Sequence, residues 1–397
     1  MINITDNAKE QKIMPFWRLG FRPFFLFGSA FAFIAIALWL LALKGVLSSS
    51  PFHSVIWWHS HEMLFGFTTA IIAGFLLTAV QNWTGIPGLK GKSLIFLFSV
   101  WLAARLLLLA NLEIPVFIIA LVDLVFLPLV AFFLARPVLR IKQYRNLVFV
   151  PLLLLMTIAN IFTYLPAFGL SESFARQGFY AMVMLVTVVV ALIGGRVIPM
   201  FTANGTQTQK VQPIRWVELS CIALLIAIAV GMLFSLNANI LGALSVLAAA
   251  FHLFRSLYWR PWVTLKVPLV WSLHLSMFFI PLGLGLLALH YFTSLISLSA
   301  AIHSLTVGVI GGMIIAMMSR VSLGHTGRML QTSSITVIAY VAIALAAISR
   351  SLLVWLVPAH ITNLWVLSGL LWCLSFACFL WIYLPILISP RVDGRPG

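Results

Sequence analysis

The sequence predicts an all-α membrane protein, a polytopic membrane helical bundle with about 12 transmembrane helices. Three observations predict it. Hydrophobic residues form 62% of the chain and charged residues 8%. Apolar runs of about 20 residues, the length a bilayer core demands, recur from end to end. Basic residues collect in alternate loops, the pattern that orients spans in a membrane.

The elements follow in order. A cytoplasmic N-terminal segment, 1–23, carries Arg18 and Arg22 in RLGFRPFF. The first apolar run, 24–43, has no small-residue cleavage site behind it and is expected to stay as a span. The second, 62–81, opens on HSHE; the third, 94–111, and the fourth, 114–135, carry Arg105 and Asp123. Spans at 147–165 and 179–198 follow, the latter running into GGRVIPMFT. Those at 218–235, 239–257 and 268–289 bring Cys221, His252 and His274. The tenth, 297–318, holds His303, the eleventh, 333–356, holds Arg350, and the twelfth, 362–385, holds Cys373 and Cys378. No segment between them is long enough for a soluble domain. Residues 24–389 thus read as a single transmembrane bundle, and 390–397 as a cytoplasmic tail.

Charge sets the orientation. Of 24 Lys and Arg residues, Lys44 and Arg176 fall on one side, Arg105 and Arg350 lie within spans, and all others share the side of the N-terminus. Positive loops stay inside, so both termini are expected in the cytoplasm. The net charge of +16 is then a topology signal and a match to the anionic headgroups of the lipid bilayer. No nucleic acid partner is expected, because the basic residues spread over short segments. The three cysteines form neither a CxxC pair nor a CxxCH haem-attachment motif, so any haem is held by coordination, as haem b.

Two stretches 242 residues apart carry nearly the same device: HEMLFGFTTAIIAGFLLTAVQNWTG (His61 to Gly85) and HSLTVGVIGGMIIAMMSRVSLGHTG (His303 to Gly327). Aligned without a gap they share His61/His303, Gly66/Gly308, Ile72/Ile314, Thr84/Thr326 and Gly85/Gly327. Small residues four apart line one face of each, so another helix or a flat cofactor can approach. A weaker echo, GGRVIPMFTANG (Gly194 to Gly205), ends span six without an opening histidine. Its spacing suggests four-helix pseudo-repeats, reminiscent of the haem–copper oxidase catalytic subunit.

Histidines fall into two layers. His59, His61 and His303 are candidate metal ligands toward the outer face, with copper suited to imidazole nitrogen. His59 and His61, two apart, share one metal only if the chain before Glu62 is non-helical. His252, His274 and His325 lie toward the inner face as candidate haem ligands: two clamp an iron, or one binds haem while the others bind a second metal. For each, a hydrogen-bonding helix contact is the alternative. Arg196, Arg320 and Arg328 sit in low-charge turns at the inner boundary and serve either topology or the haem propionates. Glu62 suits the helix dipole or orients a histidine. Arg105 and Asp123 lie equally far from the turn near Ile114, so an antiparallel hairpin pairs them near the midplane, as a structural ion pair or as part of a proton path. Among catalytic candidates only Glu62 and Asp123 stand out, and Glu113 completes the set of membrane carboxylates.

These motifs also resemble a known family. FWRLGFRPFFLFGSAFA (Phe16 to Ala32), WWHSHEMLFGF (Trp57 to Phe67), AGFLLTAVQNWTG (Ala73 to Gly85), GGRVIPMFT (Gly194 to Thr202) and HSLTVGVIGGM with SRVSLGHTGR (His303 to Arg328) are similar to the NnrS proteins. The resemblance implies a bacterial inner-membrane protein containing haem and copper and associated with tolerance of nitric oxide. The ligand roles above rest on the residues alone. A nitric oxide reductase-like activity would also need an electron donor, which the sequence does not identify. The rival expectation is a transporter for a metal or metal–nitrosyl species using the same histidines. Such a protein would hold metal weakly and have symmetric halves with broken helices.

Overall fold

In a computed structural model, residues 11–47, 53–110 and 113–395 are described. Lys9, the beginning of segment 1–23, residue 111 at the end of the third expected span and the end of 390–397 lie outside them. The described residues form helices and no strand. Twelve helices are long and apolar enough to cross a membrane: α1 (Phe21–Leu43), α2 (Val55–Thr84), α3 (Lys92–Leu109), α4 (Val116–Arg140), α5 (Tyr144–Phe168), α6 (Glu172–Thr206), α7 (Arg215–Leu233), α8 (Ala238–Tyr258), α9 (Pro268–Thr293), α10 (Leu298–His325), α11 (Ser334–Leu356) and α12 (Pro358–Ile388). In lipid every backbone polar group must be satisfied within the helix, so the sequence commits to helix wherever apolar runs persist.

Helices outlast their apolar runs. Helix α2 starts seven residues before the expected 62, capped by the Ser54 hydroxyl accepting from the Trp57 amide at 3.2 Å. Helix α6 extends at both ends, and α10 continues to His325, which was expected in a loop. Hydropathy stops at a polar residue; the backbone hydrogen-bond ladder does not.

The chain divides into two compact units. Unit 1 comprises Met1–Phe179, Val321–Leu330 and Phe379–Gly397; unit 2 comprises Tyr180–Arg320 and Gln331–Cys378. This is a division in two, where the spacing of the motifs suggested three four-helix arcs. In unit 1, α2 packs against α1 and α4, and α4 against α3 and α5. In unit 2, α9 packs against α8 and α10, and α10 against α11. The large buried side chains are mostly aromatic, including Phe24, Phe67, Trp101 and Trp259.

The repeated device is real in backbone terms. In α2, π-helix follows His61 over Glu62–Thr68; in α10, π-helix follows His303 over Ser304–Gly311. Each then resumes as α-helix. Each ends alike: Thr84 donates to the Val80 carbonyl at 2.8 Å and Thr326 to Ser322 at 2.6 Å. Gly85 (φ 68°) and Gly327 (φ 74°) then take the left-handed conformation that stops the helix. Helix α6, carrying the weak echo, is α-helical throughout.

The small-residue faces receive helices. A Cβ on Gly308 would overlap the Phe279 ring of α9, and one on Gly312 would stand 2.6 Å from Ser276 Oγ. Of the two visitors the sequence allows, a helix is the one found there. At the other end of α10, the segment expected as a tail docks on unit 1. Val392 N–H donates to the Thr326 carbonyl at 3.2 Å, and Arg391 donates to the His325 carbonyl at 2.7 Å.

Candidate functional site

In unit 1 the buried polar groups gather around His61. Helix α2 brings His61 and Glu62, α3 brings Arg105, α4 Asp123 and α5 Asn160, all with under 5% exposure. Arg105 donates to Asp123 and, at 2.9 Å, to Glu62. The expected Arg105–Asp123 pair is therefore present, with a second carboxylate bound to the same guanidinium. His61 Nδ1 lies 3.0 Å from Glu62 Oε1; its Nε2 lies 3.0 Å from Asn160 Oδ1 and 3.2 Å from Asp123 Oδ2. Asn160 Nδ2 donates to Asp123 at 2.7 Å. Trp57 stacks on His61, ring centroids 4.5 Å apart and planes 8° apart. Each imidazole nitrogen faces an oxygen. Two carboxylates share the Arg105 guanidinium and also approach the imidazole, and this mutual pairing makes so polar a cluster tolerable in the bilayer.

The π turn builds this cluster. Thr68 donates to the Met63 carbonyl five residues back at 2.8 Å, inside the widened turn, and the indole of Trp101 on α3 donates to its Gly66 carbonyl at 2.8 Å. Gly66 leaves room for the Arg105 guanidinium, which a Cβ there would overlap.

The condition for His59 and His61 to share a metal is not met, because Val55–His61 is helical. His59 stacks on Trp39 at 4.5 Å while His61 faces Asn160. Metal binding by His61 would require one of its bonds to give way. Among the described residues no group of three or more His, Cys, Asp or Glu side chains is arranged to hold a metal ion.

Unit 2 holds His252, His274 and His303. His252 Nδ1 accepts from Arg255 Nη2 at 3.3 Å, and its Nε2–H donates to the Cys221 carbonyl at 3.3 Å, so both nitrogens are engaged. Arg255 also pairs with Glu218 at 3.1 Å and lies 4.9 Å from the Trp259 ring. His274, 2% exposed, has Nε2 2.8 Å from Thr202 Oγ1, while its buried Nδ1 has no hydrogen-bond partner. Trp259 touches both neighbourhoods, 6.5 Å from the His274 ring. Arg320 lies 3.8 Å over the ring of Phe201, the residue before Thr202. His274 and Arg320 thus flank one turn of α6, and Arg196 lies half-buried on the same helix. His303 Nδ1 donates to the Ser299 carbonyl at 2.7 Å.

His325 and Arg328 belong to unit 1. The His325 ring lies 5.6 Å from Phe21, and Arg328 has a buried Nη1 without a partner. The sequence reading missed Asn160 and Glu218. An asparagine amid LLLLMTIANIF, and one of only eight acidic residues placed as near the end of α7 as Arg255 is to the end of α8, were the available signals.

The sequence model of one family, described as NnrS protein, matches residues 15–391. No curated protein matches the chain.

Proposed function

Because the chain belongs to the NnrS family, we propose that it is a haem- and copper-binding protein of the bacterial inner membrane that binds or detoxifies nitric oxide. Its Lys/Arg asymmetry supports placing both termini in the cytoplasm. The observation that carries the haem assignment is His274. One ring nitrogen is fixed by Thr202 and the other is buried without a protein partner. A nitrogen held ready and oriented from behind is what a metal-ligating imidazole needs. Arg196, on α6 itself, and Arg320, over the Phe201 ring of that helix, suit the propionates. His252, with both nitrogens bonded, serves to place Arg255.

Copper is assigned to His303. Its Nδ1–H is tied to a backbone carbonyl, the bond that commonly sets Nε2 as the ligand. Haem in the ferrous state supplies affinity for nitric oxide. The unit 1 cluster offers Glu62 and Asp123 as proton-holding groups, but both are locked in ion pairs, which favours binding or protection over fast reduction.

One observation favours the transporter reading. Spans α2 and α10 are both interrupted by π-helix after a histidine, an irregularity of the kind transporters use. Metal that exchanges freely with chelator in the purified protein would support it.

Complementation tests the proposal. A strain lacking the protein should grow poorly under nitric oxide, and the wild-type gene should restore growth. His274→Ala and His303→Ala should fail to restore it at normal membrane levels. Rescue by variants shown to lack metal would refute the redox reading. Nitrous oxide release beyond one turnover by reduced protein under anaerobic conditions would establish reduction; uptake without product would establish binding.

A further inference from the structure

Arg350 lies within α11, in a third π-helical segment, Ser349–Leu353, that ends close to the span's terminus at Leu356. An ionisable side chain inside a span is functional by default, and π turns gather where a side chain must be re-aimed. Among the described residues no carboxylate pairs with Arg350.

Its surroundings are a hydroxyl and an aromatic face. Arg350 Nη2 donates to Ser299 Oγ at 3.2 Å, and the guanidinium carbon lies 4.9 Å from the Trp365 ring centroid. The Trp365 Nε1 is buried and has no acceptor. Ser299 also receives His303, whose Nδ1 donates to its carbonyl and lies 3.4 Å from its hydroxyl. One permanent positive charge and an unused indole N–H therefore meet in unit 2 with no negative charge to balance them. Arg350 is half-buried and its bond to the Ser299 hydroxyl is exposed, so an anion can reach the charge and pair with it.

We propose that Arg350, Ser299 and Trp365 form a binding site for a small planar oxyanion, nitrite or a carboxylate, beside His303. A guanidinium presents parallel N–H groups that match an O–X–O fork, and its single charge suits a monovalent ion. The Trp365 face, 4.9 Å from the guanidinium carbon, backs the fork, and the indole N–H supplies a further donor. The site holds whether or not His303 carries copper.

The test is calorimetric titration of the purified full-length protein, metal content measured alongside, with sodium nitrite and separately with sodium formate at constant ionic strength. Saturable binding of either is expected, and which of the two binds identifies the source. Arg350→Gln should weaken it about tenfold or more, the worth of a charged hydrogen bond, at unchanged metal content. Trp365→Phe should weaken it less. No saturable binding of either ion, or equal binding by Arg350→Gln, would overturn the proposal. Should Arg350→Gln fail to fold, Arg350→Lys keeps the charge and loses the fork, and undiminished binding there would overturn it too. Neither result depends on haem or copper being present.

Discussion

Arg105 donates to Glu62 at 2.9 Å through space that is open only because position 66 is glycine. A Cβ there would also stand 3.1 Å from the other Glu62 oxygen, Oε2, which is buried and unpartnered. The identity shared by Gly66 and Gly308 thus has two local causes, a guanidinium at one and the Phe279 ring at the other.

Gly66→Ala should therefore destabilise the protein by about 1–3 kcal/mol, the usual penalty of overpacking. Gly285→Ala, a helical position with nothing within 4 Å of its Cβ, should be neutral or mildly stabilising. Thermal melts of the detergent-purified proteins compare them. Equal melting temperatures for the two variants would mean that Gly66 does not hold the cluster.

Removing Arg105 or Asp123 unbalances the charges of the cluster, and breaking a buried pair costs about 3–5 kcal/mol. Arg105→Leu and Asp123→Leu should each lower folded yield by that route. The double variant should recover much of it, because Glu62 and His61 remain as a pair, Nδ1 to Oε1 at 3.0 Å. Additive losses in the double variant would show that the two residues act independently.

The haem assignment separates two neighbouring histidines. His274→Ala should abolish haem binding. His252→Gln should keep haem and lose stability instead, since His252 spends its nitrogens on Arg255 and the Cys221 carbonyl. Haem per protein from the pyridine haemochrome spectrum decides; the reverse pattern would exchange their roles.

The docked C-terminal segment predicts a pH dependence with a definite sign. The hydrogen bonds from Arg391 hold the Asp393 carboxyl below its ordinary value of 3.8. A lowered folded-state value means the contribution is complete above that ordinary value and is lost as pH falls toward the folded one. Protection of the Val392 amide, which bonds Thr326, should stay constant from about pH 8 to pH 5 in hydrogen exchange. A loss within that interval would mean that another group controls the segment.

Much of the fold was legible because bilayer thickness writes itself into run length; all twelve spans were readable. The pairing of Arg105 with Asp123 was legible too, since a tight turn between two helices turns equal separation into equal depth. Glu62 and Asn160 joining that pair were not. They arrive from α2 and α5, and nothing in chain arithmetic fixes which faces of such helices meet. The π turns were equally silent, as one extra residue per turn leaves no trace in a uniformly apolar run. For the candidate metal residues, residue type and depth brought out His274 and His252 alike, and only their hydrogen bonds distinguish them.

The central claim is that this bundle carries haem and copper, and spectra with metal analysis of the purified protein test it most directly. Protein from haem-sufficient cells should show a Soret band that shifts on dithionite reduction, with b-type haem extractable by acid and organic solvent. Copper should accompany it and fall in His303→Ala while the haem stays. Well-folded protein with no Soret band would contradict the claim.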